Sequence, residues 1–220
     1  MLFSLKHKFL FVHIAKTGGT SIRAALSPYR WKGPYGVPLF LCSRMSALCN
    51  HRLASKIPRH ARAVAALEMF PREQFQSFFK FAFVRNPWDL QVSSYHHIRR
   101  ERPHLIEHVK DFQTFLHWKL AEDRPYNYIV DTSITLQSSY LVDLNGNVIV
   151  DFIGRYENLT SDFNTVCRKI GIRAPKLPHK RRAVHRKPYQ EYYNEKTARL
   201  VADYFAPDIK MFGYTFSSYE

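Results

Sequence analysis

The stretch 9-FLFVHIAKTGGTSIRAAL-26 constrains the fold more than any other part of the chain. Its first six residues (9–14) predict a buried strand, residues 16–19 a tight turn, and residues 20–26 the start of a helix. Backbone N–H groups in such a turn and in the first helical turn have no partners within the helix, and they lie at its positive end. Lys16 adds a full charge. The stretch therefore predicts an anion-binding site suited to phosphate or sulfate.

Three further segments have the composition of strands: residues 79–84, 136–142 and 148–153. Helical patterns lie between the first strand-like segments of the chain. This alternation predicts a parallel sheet with crossover helices. The last two are joined through 143-DLNGN-147, in which Asn-Gly is a strong hairpin signal. We therefore expect an α/β fold with a central parallel sheet and an added β-hairpin. At 220 residues, we expect one domain over residues 1–220.

The helical segments have recognisable ends. Residues 161–170 predict a helix that Gly171 ends, and residues 189–209 predict a terminal amphipathic helix that ends before Pro207. His60 would open a helix over residues 60–70, at whose N-terminus the dipole disfavours an imidazolium.

A strong positive charge makes a polyanionic partner plausible. The chain has 33 Lys and Arg against 18 Asp and Glu, a net charge of +15, which suits a nucleotide, a nucleic acid, an acidic glycan or an anionic membrane. The basic segment 176–188 could close over phosphates or simply be a solvated loop. No apolar stretch approaches the roughly 20 residues that a spanning helix needs, and no signal peptide is recognisable. We therefore expect a cytoplasmic protein without a membrane span.

A second anion site is predicted by 79-FKFAFVRNPWDLQVSSYHHIRR-100. Arg85 follows an apolar strand, and Ser93 lies about two helical turns further on. In open α/β sheets ligands bind outside the carboxyl ends of the strands, where Lys16 and Arg85 would both project. Arginine offers bidentate recognition of phosphate. The alternative for Arg85 is a surface ion pair with Asp89.

Together, HIAKTGGTS and FAFVRNPWDLQVSSY resemble the paired nucleotide-binding motifs of the family-2 type sulfotransferases, which use 3'-phosphoadenosine 5'-phosphosulfate as donor. The segments 151-DFIGRYENL-159 and 208-DIKMFGYTF-216 match the same family, so the resemblance covers nearly the whole chain. It implies a P-loop-like three-layer fold, with helices on both faces of the sheet. It also implies sulfuryl transfer to a hydroxyl or amine of a carbohydrate, possibly an acidic glycan.

The resemblance assigns two groups of donor-binding residues. The 5'-phosphosulfate would be cradled by Lys16, Thr17, Gly18, Gly19, Thr20 and Ser21, and the 3'-phosphate would be held by Arg85 and Ser93. Because the lysine precedes the glycines, the pattern GxxxxGK[ST] is missing, which disfavours Mg²⁺-dependent hydrolysis of nucleoside triphosphates. We expect no metal.

Sulfuryl transfer needs a group that stabilises the leaving oxygen and a base for the acceptor hydroxyl. We assign the first role to Lys16. For the base we choose His60, since a neutral imidazole suits proton abstraction. His51, His13 and Glu68 remain alternatives.

Two other functions compete with this interpretation. A P-loop-type nucleotide kinase would share the broad fold, but the order of lysine and glycines separates it from this chain. A basic nucleic-acid-binding protein would explain the pI of 9.9, but no recognisable nucleic-acid module is present. We therefore expect no nucleic acid as partner.

Overall fold

The computed structural model describes residues 1–30, 37, 38, 41, 45, 58–178 and 186–216. They belong to two compact units. Unit 1 is drawn from residues 1–14, 18–84 and 140–180, and unit 2 from residues 15–17, 85–139 and 181–220. Helices and strands alternate along the chain, so the predicted α/β class is confirmed. A single domain over residues 1–220 stays a prediction.

Unit 1 contains a four-stranded, mostly parallel sheet. Its strands are β1 (Leu2–Ser4), β2 (Phe9–Val12), β3 (Phe79–Val84) and β4 (Phe152–Arg155). They lie in the order β1-β2-β3-β4, in which β2, β3 and β4 are parallel and β1 is antiparallel to β2. The predicted central parallel sheet is thereby confirmed. The short strand β1 was not predicted, because three residues are too few to show a period.

The sheet is buried on both faces along β2 and nearly all of β3. This explains why these segments are continuous apolar runs, which parallel strands typically are. Two helices, α1 (Gly19–Arg30) and α7 (Leu159–Lys169), supply the other half of the core of unit 1. That core consists of Leu2, Phe9, Phe11, Ile22, Ala25, Leu26, Phe81, Phe83, Phe163, Val166, Cys167 and Ile170.

The helix predicted at 60–70 is shorter than expected. Unit 1 has α2 at Ala63–Met69 and α3 at Arg72–Ser77. Arg62 is the extended N-cap residue of α2, so His60 precedes the helix instead of opening it. The His60 ring bonds the backbone carbonyl of His13 at 2.9 Å, which ties it to the end of β2. The prediction that a helix dipole acts on His60 is therefore wrong.

The predicted β-hairpin is reduced to one antiparallel bridge, between Val142 and Val148. The Asn-Gly turn forms as expected, with Gly146 at φ +83 and the Asp143 carboxylate accepting from the N–H of Asn147 at 2.8 Å. Residues 136–142, however, contain a 3-10 turn (Ser138–Tyr140) instead of a strand. The prediction of two paired strands is therefore wrong at this place. The cause is a buried carboxylate, described below, that binds the backbone there.

Unit 2 is helical. Its helices are α4 (Pro87–Glu101), α5 (Phe112–Leu120), α6 (Tyr128–Asp131), α8 (Glu195–Tyr204) and α9 (Ala206–Phe212), with a 3-10 turn at Tyr189–Tyr192.

The terminal segment predicted as one helix over 189–209 is divided into this 3-10 turn, α8 and α9. Asn194 and Thr197 form a reciprocal capping box that starts α8. Pro207 lies in the first turn of α9, where its missing N–H costs nothing. The helix predicted at 161–170 is confirmed as α7, and Gly171 follows it at φ +67.

Across the described ranges, every helix is too short or too polar to traverse a lipid bilayer.

Candidate active site

The glycine turn leaves no space for side chains in unit 1. Gly18 has φ +80, and an ideal Cβ there would lie 2.9 Å from Leu159 Cδ2. A Cβ on Gly19 would lie 2.0 Å from Cδ2 of His13. Helix α1 starts at this point, and Gly18 accepts the N–H of Ser21 at 3.0 Å. Packing within unit 1 therefore requires glycine at both positions, and the turn leads directly into the N-terminus of α1.

Lys16, in unit 2, has the other unusual backbone conformation of this turn. Its φ is +65, in the left-handed region that residues other than glycine seldom adopt. Such a conformation costs on the order of 1–3 kcal/mol and is concentrated at functional sites. The next residue, Thr17, is fully buried. The lysine side chain is half-exposed and can meet a ligand.

Arg85 binds directly to the backbone of Lys16. Its Nη1 donates to the Lys16 carbonyl oxygen at 3.0 Å, and its Nε donates to Asp89 Oδ2 at 2.6 Å. The pairing with Asp89 that sequence suggested does occur, but Arg85 is only 4% exposed, so it is not a surface ion pair. Unit 2 thus brings together Lys16 and Arg85, the two cations that were assigned to opposite ends of the donor.

A clamp that sequence reasoning missed holds the backbone of Arg85. The side chain of Gln137 accepts the Arg85 N–H at 2.9 Å and donates to the Arg85 carbonyl at 2.8 Å. The buried carboxylate of Asp208 in turn accepts the N–H of Gln137 at 2.7 Å and that of Ser138 at 2.8 Å. The only available signal was that Asp208 opens a segment resembling the family, 208-DIKMFGYTF-216.

Asp89 also joins Arg85 to the basic segment 176–188. Arg186 Nη2 donates to Asp89 Oδ1 and to the Asp89 backbone oxygen, so one carboxylate bridges two arginines. Lys180, Arg181 and Arg182 of the same segment lie outside the described residues. The predicted closure of this segment over phosphates therefore stays a prediction.

The structure distinguishes the two serines of α4. Ser94 is buried and accepts from Lys119 Nζ at 2.9 Å. Ser133 donates its hydroxyl to a backbone carbonyl at 2.8 Å, so the 3.0 Å contact between Ser94 and Ser133 must have Ser94 as donor. The single proton of Ser94 is thereby used within the protein. Ser93 is half-exposed. This exposure fits the contact with the 3'-phosphate that the resemblance assigns to Ser93.

Lys119 is a second residue that the sequence did not reveal. It is fully buried, and its Nζ donates to Gln91 Oε1 at 2.6 Å as well as to Ser94. Burial, and then the positive charges of Lys16 and Arg124, lower the pKa of Lys119 well below its ordinary value. Asp131 opposes this shift. Lys119 lies within a helical pattern, 112-FQTFLHWKL-120, and nothing in this pattern indicates that its side chain is buried.

Unit 1 pairs two of the histidines considered as base. The rings of His13 and His60 lie 4.6 Å apart between centroids. Because a carbonyl only accepts, the 2.9 Å contact to the His13 oxygen requires a proton on Nδ1 of His60, which leaves Nε2 with the lone pair. Burial lowers the pKa of His60, and the charges of Arg59 and Arg23 contribute to the lowering. His60 is thus a neutral acceptor at ordinary pH.

The other candidates differ in environment. His13 is only 3% exposed, and burial, followed by the neighbouring His60, lowers its pKa to about 2. Its Nδ1 is buried without a partner among the described residues. Glu68 lies exposed on α2, and His51 lies outside the described residues. His60 therefore combines a free nitrogen with partial exposure.

Within residues 1–30, 58–178 and 186–216, no three side chains of His, Cys, Asp or Glu approach one another as metal ligands would. The expectation of a metal-free reaction rests on the sequence pattern around Lys16 and stays a prediction.

Comparison with known proteins identifies relatives along the whole chain. A sequence model of the sulfotransferase family matches residues 1–215. An uncharacterized protein of Archaeoglobus fulgidus is 35% identical over 102 residues, which cover 46% of this chain and 74% of that protein. Human carbohydrate sulfotransferase 9 is 22% identical, over 96% of this chain and 52% of its own length. This chain thus spans about half the length of the human relative. No solved structure is significantly similar.

Proposed function

This chain belongs to the sulfotransferase family, and on that premise we propose that it moves a sulfuryl group from 3'-phosphoadenosine 5'-phosphosulfate to a hydroxyl or amine of a carbohydrate. Family membership itself supports a transferase. One observation carries the proposed donor: the buried Arg85 guanidinium donates to the backbone carbonyl of Lys16 at 3.0 Å, so unit 2 holds the two residues assigned to the donor next to each other. The carbohydrate acceptor is supported by the similarity to human carbohydrate sulfotransferase 9.

We propose two sets of donor contacts. The 5'-phosphosulfate is bound by residues of the glycine turn and the start of α1: Lys16, Thr17, Gly18, Gly19, Thr20 and Ser21. Arg85 and Ser93 bind the 3'-phosphate. The position of the turn between β2 and the N-terminus of α1 supports the first set, and the half-exposed position of Ser93 supports the second.

The donor supplies the sulfuryl group and an oxygen that leaves with negative charge. The ammonium of Lys16 stabilises that charge, and backbone N–H groups of the turn stabilise the sulfuryl oxygens. Nε2 of His60 accepts the proton of the acceptor hydroxyl, since its Nδ1 proton is held by the His13 carbonyl. The lowered pKa of His60 supports this role by keeping the ring neutral.

The proposed fold is the P-loop-like three-layer arrangement, with helices on both faces of the sheet. It is supported by the parallel pairing of β2 with β3 and by the helix α1 that directly follows the glycine turn after β2. In folds with these two features, phosphate groups bind at the carboxyl ends of parallel strands and at the N-terminus of a helix.

Calorimetric titration with 3'-phosphoadenosine 5'-phosphate, ATP and AMP tests the donor assignment. We expect selective binding of the bisphosphate, which Arg85→Ala and Lys16→Ala each weaken at least tenfold. Arg100→Ala, which removes an exposed arginine from α4, the helix that begins two residues after Arg85, should leave the affinity unchanged. Arg85→Lys keeps the charge without the bidentate fork and should restore only part of the affinity. Equal affinity for ATP would overturn the donor assignment and favour a kinase.

Steady-state kinetics test the base. His60→Gln should lower kcat at least 100-fold while leaving the affinity for 3'-phosphoadenosine 5'-phosphate intact. Glu68→Gln and His51→Gln serve as matched variants of two of the alternative candidates. A larger loss of kcat in either of them than in His60→Gln would refute His60 as base.

A further inference from the structure

Lys119 occupies a position on α5 at which its neighbours are apolar. The other buried residues of this helix are Phe112, Phe115, Leu116 and Leu120, and Lys119 is itself fully buried. Its Nζ lies 5.4 Å from the centroid of the Phe115 ring. Among the residues that the structure describes, no Asp or Glu forms an ion pair with this amine. An amine in such surroundings is unfavourable unless hydrogen bonds replace the water that it has lost.

Two hydrogen bonds join Lys119 to α4. Its Nζ donates to Gln91 Oε1 at 2.6 Å and to Ser94 Oγ at 2.9 Å. Ser133 fixes both acceptors in turn, because its carbonyl accepts from the Gln91 amide at 3.2 Å and its hydroxyl oxygen accepts from Ser94 at 3.0 Å. Gln91 and Ser94 are themselves buried. Hydrogen bonds of Lys119 and Ser133 therefore hold one buried face of α4.

A different face of α4 carries Asp89 and Ser93. At 3.6 residues per turn, these two side chains lie roughly 40° apart around the helix axis. Ser93 lies roughly 100° from Ser94 and roughly 160° from Gln91. The Asp89 carboxylate accepts from Arg85 Nε at 2.6 Å. Ser93 is thus on the side of α4 that contacts Arg85 through Asp89, whereas Lys119 holds the helix from another side.

We propose that Lys119 is a positioning residue of the donor site, which fixes the rotation of α4 about its axis and so directs the Ser93 hydroxyl to the 3'-phosphate that Arg85 binds. The inference rests on the proposed function, because that function places the 3'-phosphate at Arg85 and Ser93. What it adds is a residue outside both binding motifs that determines selectivity for a 3'-phosphate. Hydrogen bonds suit this task because they weaken steeply when their angle is lost, which apolar contacts do not.

Calorimetric titration of Lys119→Met with 3'-phosphoadenosine 5'-phosphate and with AMP tests the proposal. The variant removes the amine and keeps an unbranched side chain. We expect the ratio of the two affinities to fall at least fivefold, with the affinity for AMP unchanged within about twofold. AMP has no 3'-phosphate, so it reports on the other contacts of the nucleotide. A merely structural role would weaken both nucleotides alike, and equal losses would overturn the proposal.

Leu116→Val is the matched control, because Leu116 is fully buried on the same helix and its side chain forms no hydrogen bond. It should lower the stability of the fold and leave the ratio of affinities unchanged. A fall in the ratio as large as that in Lys119→Met would contradict the proposal, since any loosening of α5 would then have the same effect.

Ser94→Ala keeps the proposal testable even if Lys119→Met fails to fold. It removes one of the two acceptors of Lys119 and changes the side-chain volume little. The ratio of affinities should fall about two- to threefold, because one of the two hydrogen bonds to Lys119 remains. An unchanged ratio would show that these hydrogen bonds do not direct Ser93.

A double-mutant cycle tests whether Lys119 acts through Ser93. Ser93→Ala alone should weaken binding of 3'-phosphoadenosine 5'-phosphate about three- to tenfold. In the Lys119→Met protein, the same change should cause less than about a twofold further loss, because the hydroxyl is no longer directed to the phosphate. Additive losses would mean that the two residues act independently, and the proposal would be wrong.

The same titrations separate the two possible failures. If the wild type binds 3'-phosphoadenosine 5'-phosphate no more tightly than AMP, the proposed function itself fails. If the wild type discriminates between the two nucleotides and Lys119→Met discriminates equally well, the donor assignment stands and only the role of Lys119 is wrong.

Discussion

Gly19 and His13 occupy space that admits only one side chain. The His13 ring cannot easily retreat, because it stacks on Phe11 with centroids 5.5 Å apart and planes inclined by 18°, and Phe11 is fully buried in the sheet. The second glycine of the turn is therefore required by packing alone, independently of the proposed ligand. At the scale of single residues, the glycine turn and the histidine pair form one structural feature.

We predict that Gly19→Ala destabilises the fold by about 1–3 kcal/mol, the usual cost of adding volume to a packed position. The double variant with His13→Ala should recover part of this loss, because the shortened side chain makes room for the new methyl group. Chemical denaturation of the wild type, both single variants and the double variant measures the coupling between the two positions. Strictly additive losses would show that the ring does not limit position 19.

Between elements, the decisive contact is the one that Asp208 of α9 makes with residues 137 and 138. Its carboxylate accepts two backbone N–H groups and the Ser138 hydroxyl, at 2.6 Å for the last. These N–H groups would otherwise be available for a strand ladder, which explains why a 3-10 turn replaces the predicted strand. Gln137 in turn clamps the backbone of Arg85. Helix α9 therefore helps to position Arg85, a residue that we propose binds the sulfuryl donor.

Asp208→Asn should destabilise the protein by about 1–3 kcal/mol, since the amide NH₂ would face at least one buried donor. It should also weaken binding of 3'-phosphoadenosine 5'-phosphate through Gln137 and Arg85. Asp203→Asn is the control, because Asp203 is exposed on α8 and approaches Arg199 only at 3.9 Å. Denaturation and calorimetry compare the two variants. Similar losses in both would mean that Asp208 acts as a surface charge.

The whole molecule carries a net charge of +15, and acidification adds further positive charge to it. His13 and His60 both resist protonation in the folded protein, since burial lowers the pKa of each. In the unfolded chain the same rings bind a proton near pH 6.5. The folded protein therefore has its full stability above this pH, and it loses stability as the pH falls below it.

For His13, whose pKa is lowered to about 2, we predict a loss of about 1.4 kcal/mol for each pH unit below 6.5. His13→Gln should remove this contribution between pH 4.5 and 6.5, and His117→Gln, at an exposed histidine, should leave the slope unchanged. Denaturant unfolding at a series of pH values provides the slopes. An identical slope in wild type and His13→Gln would contradict a neutral, buried His13.

Sequence alone was sufficient for the features that depend on neighbouring residues. The apolar runs of β2 and β3, the glycine turn and the emergence of Arg85 after a strand are local patterns, and the two motifs together pointed to the sulfotransferase family. The same local patterns were misleading where a distant group competes for the backbone, as at residues 136–142, or where a capping box interrupts a periodic segment, as at Asn194.

Only the tertiary structure decided the contacts between residues far apart in the chain. Asp208 meets Gln137 across 71 positions, His60 meets the His13 carbonyl across 47, and Lys119 meets Gln91 across 28. Periodicity and propensity report on local backbone preference, whereas the burial of a carboxylate, an amine or an imidazole depends on which elements pack around it. The prediction of a donor site at the glycine turn and Arg85 came from local sequence, while the tautomer of its proposed base and the clamp on Arg85 required the folded chain.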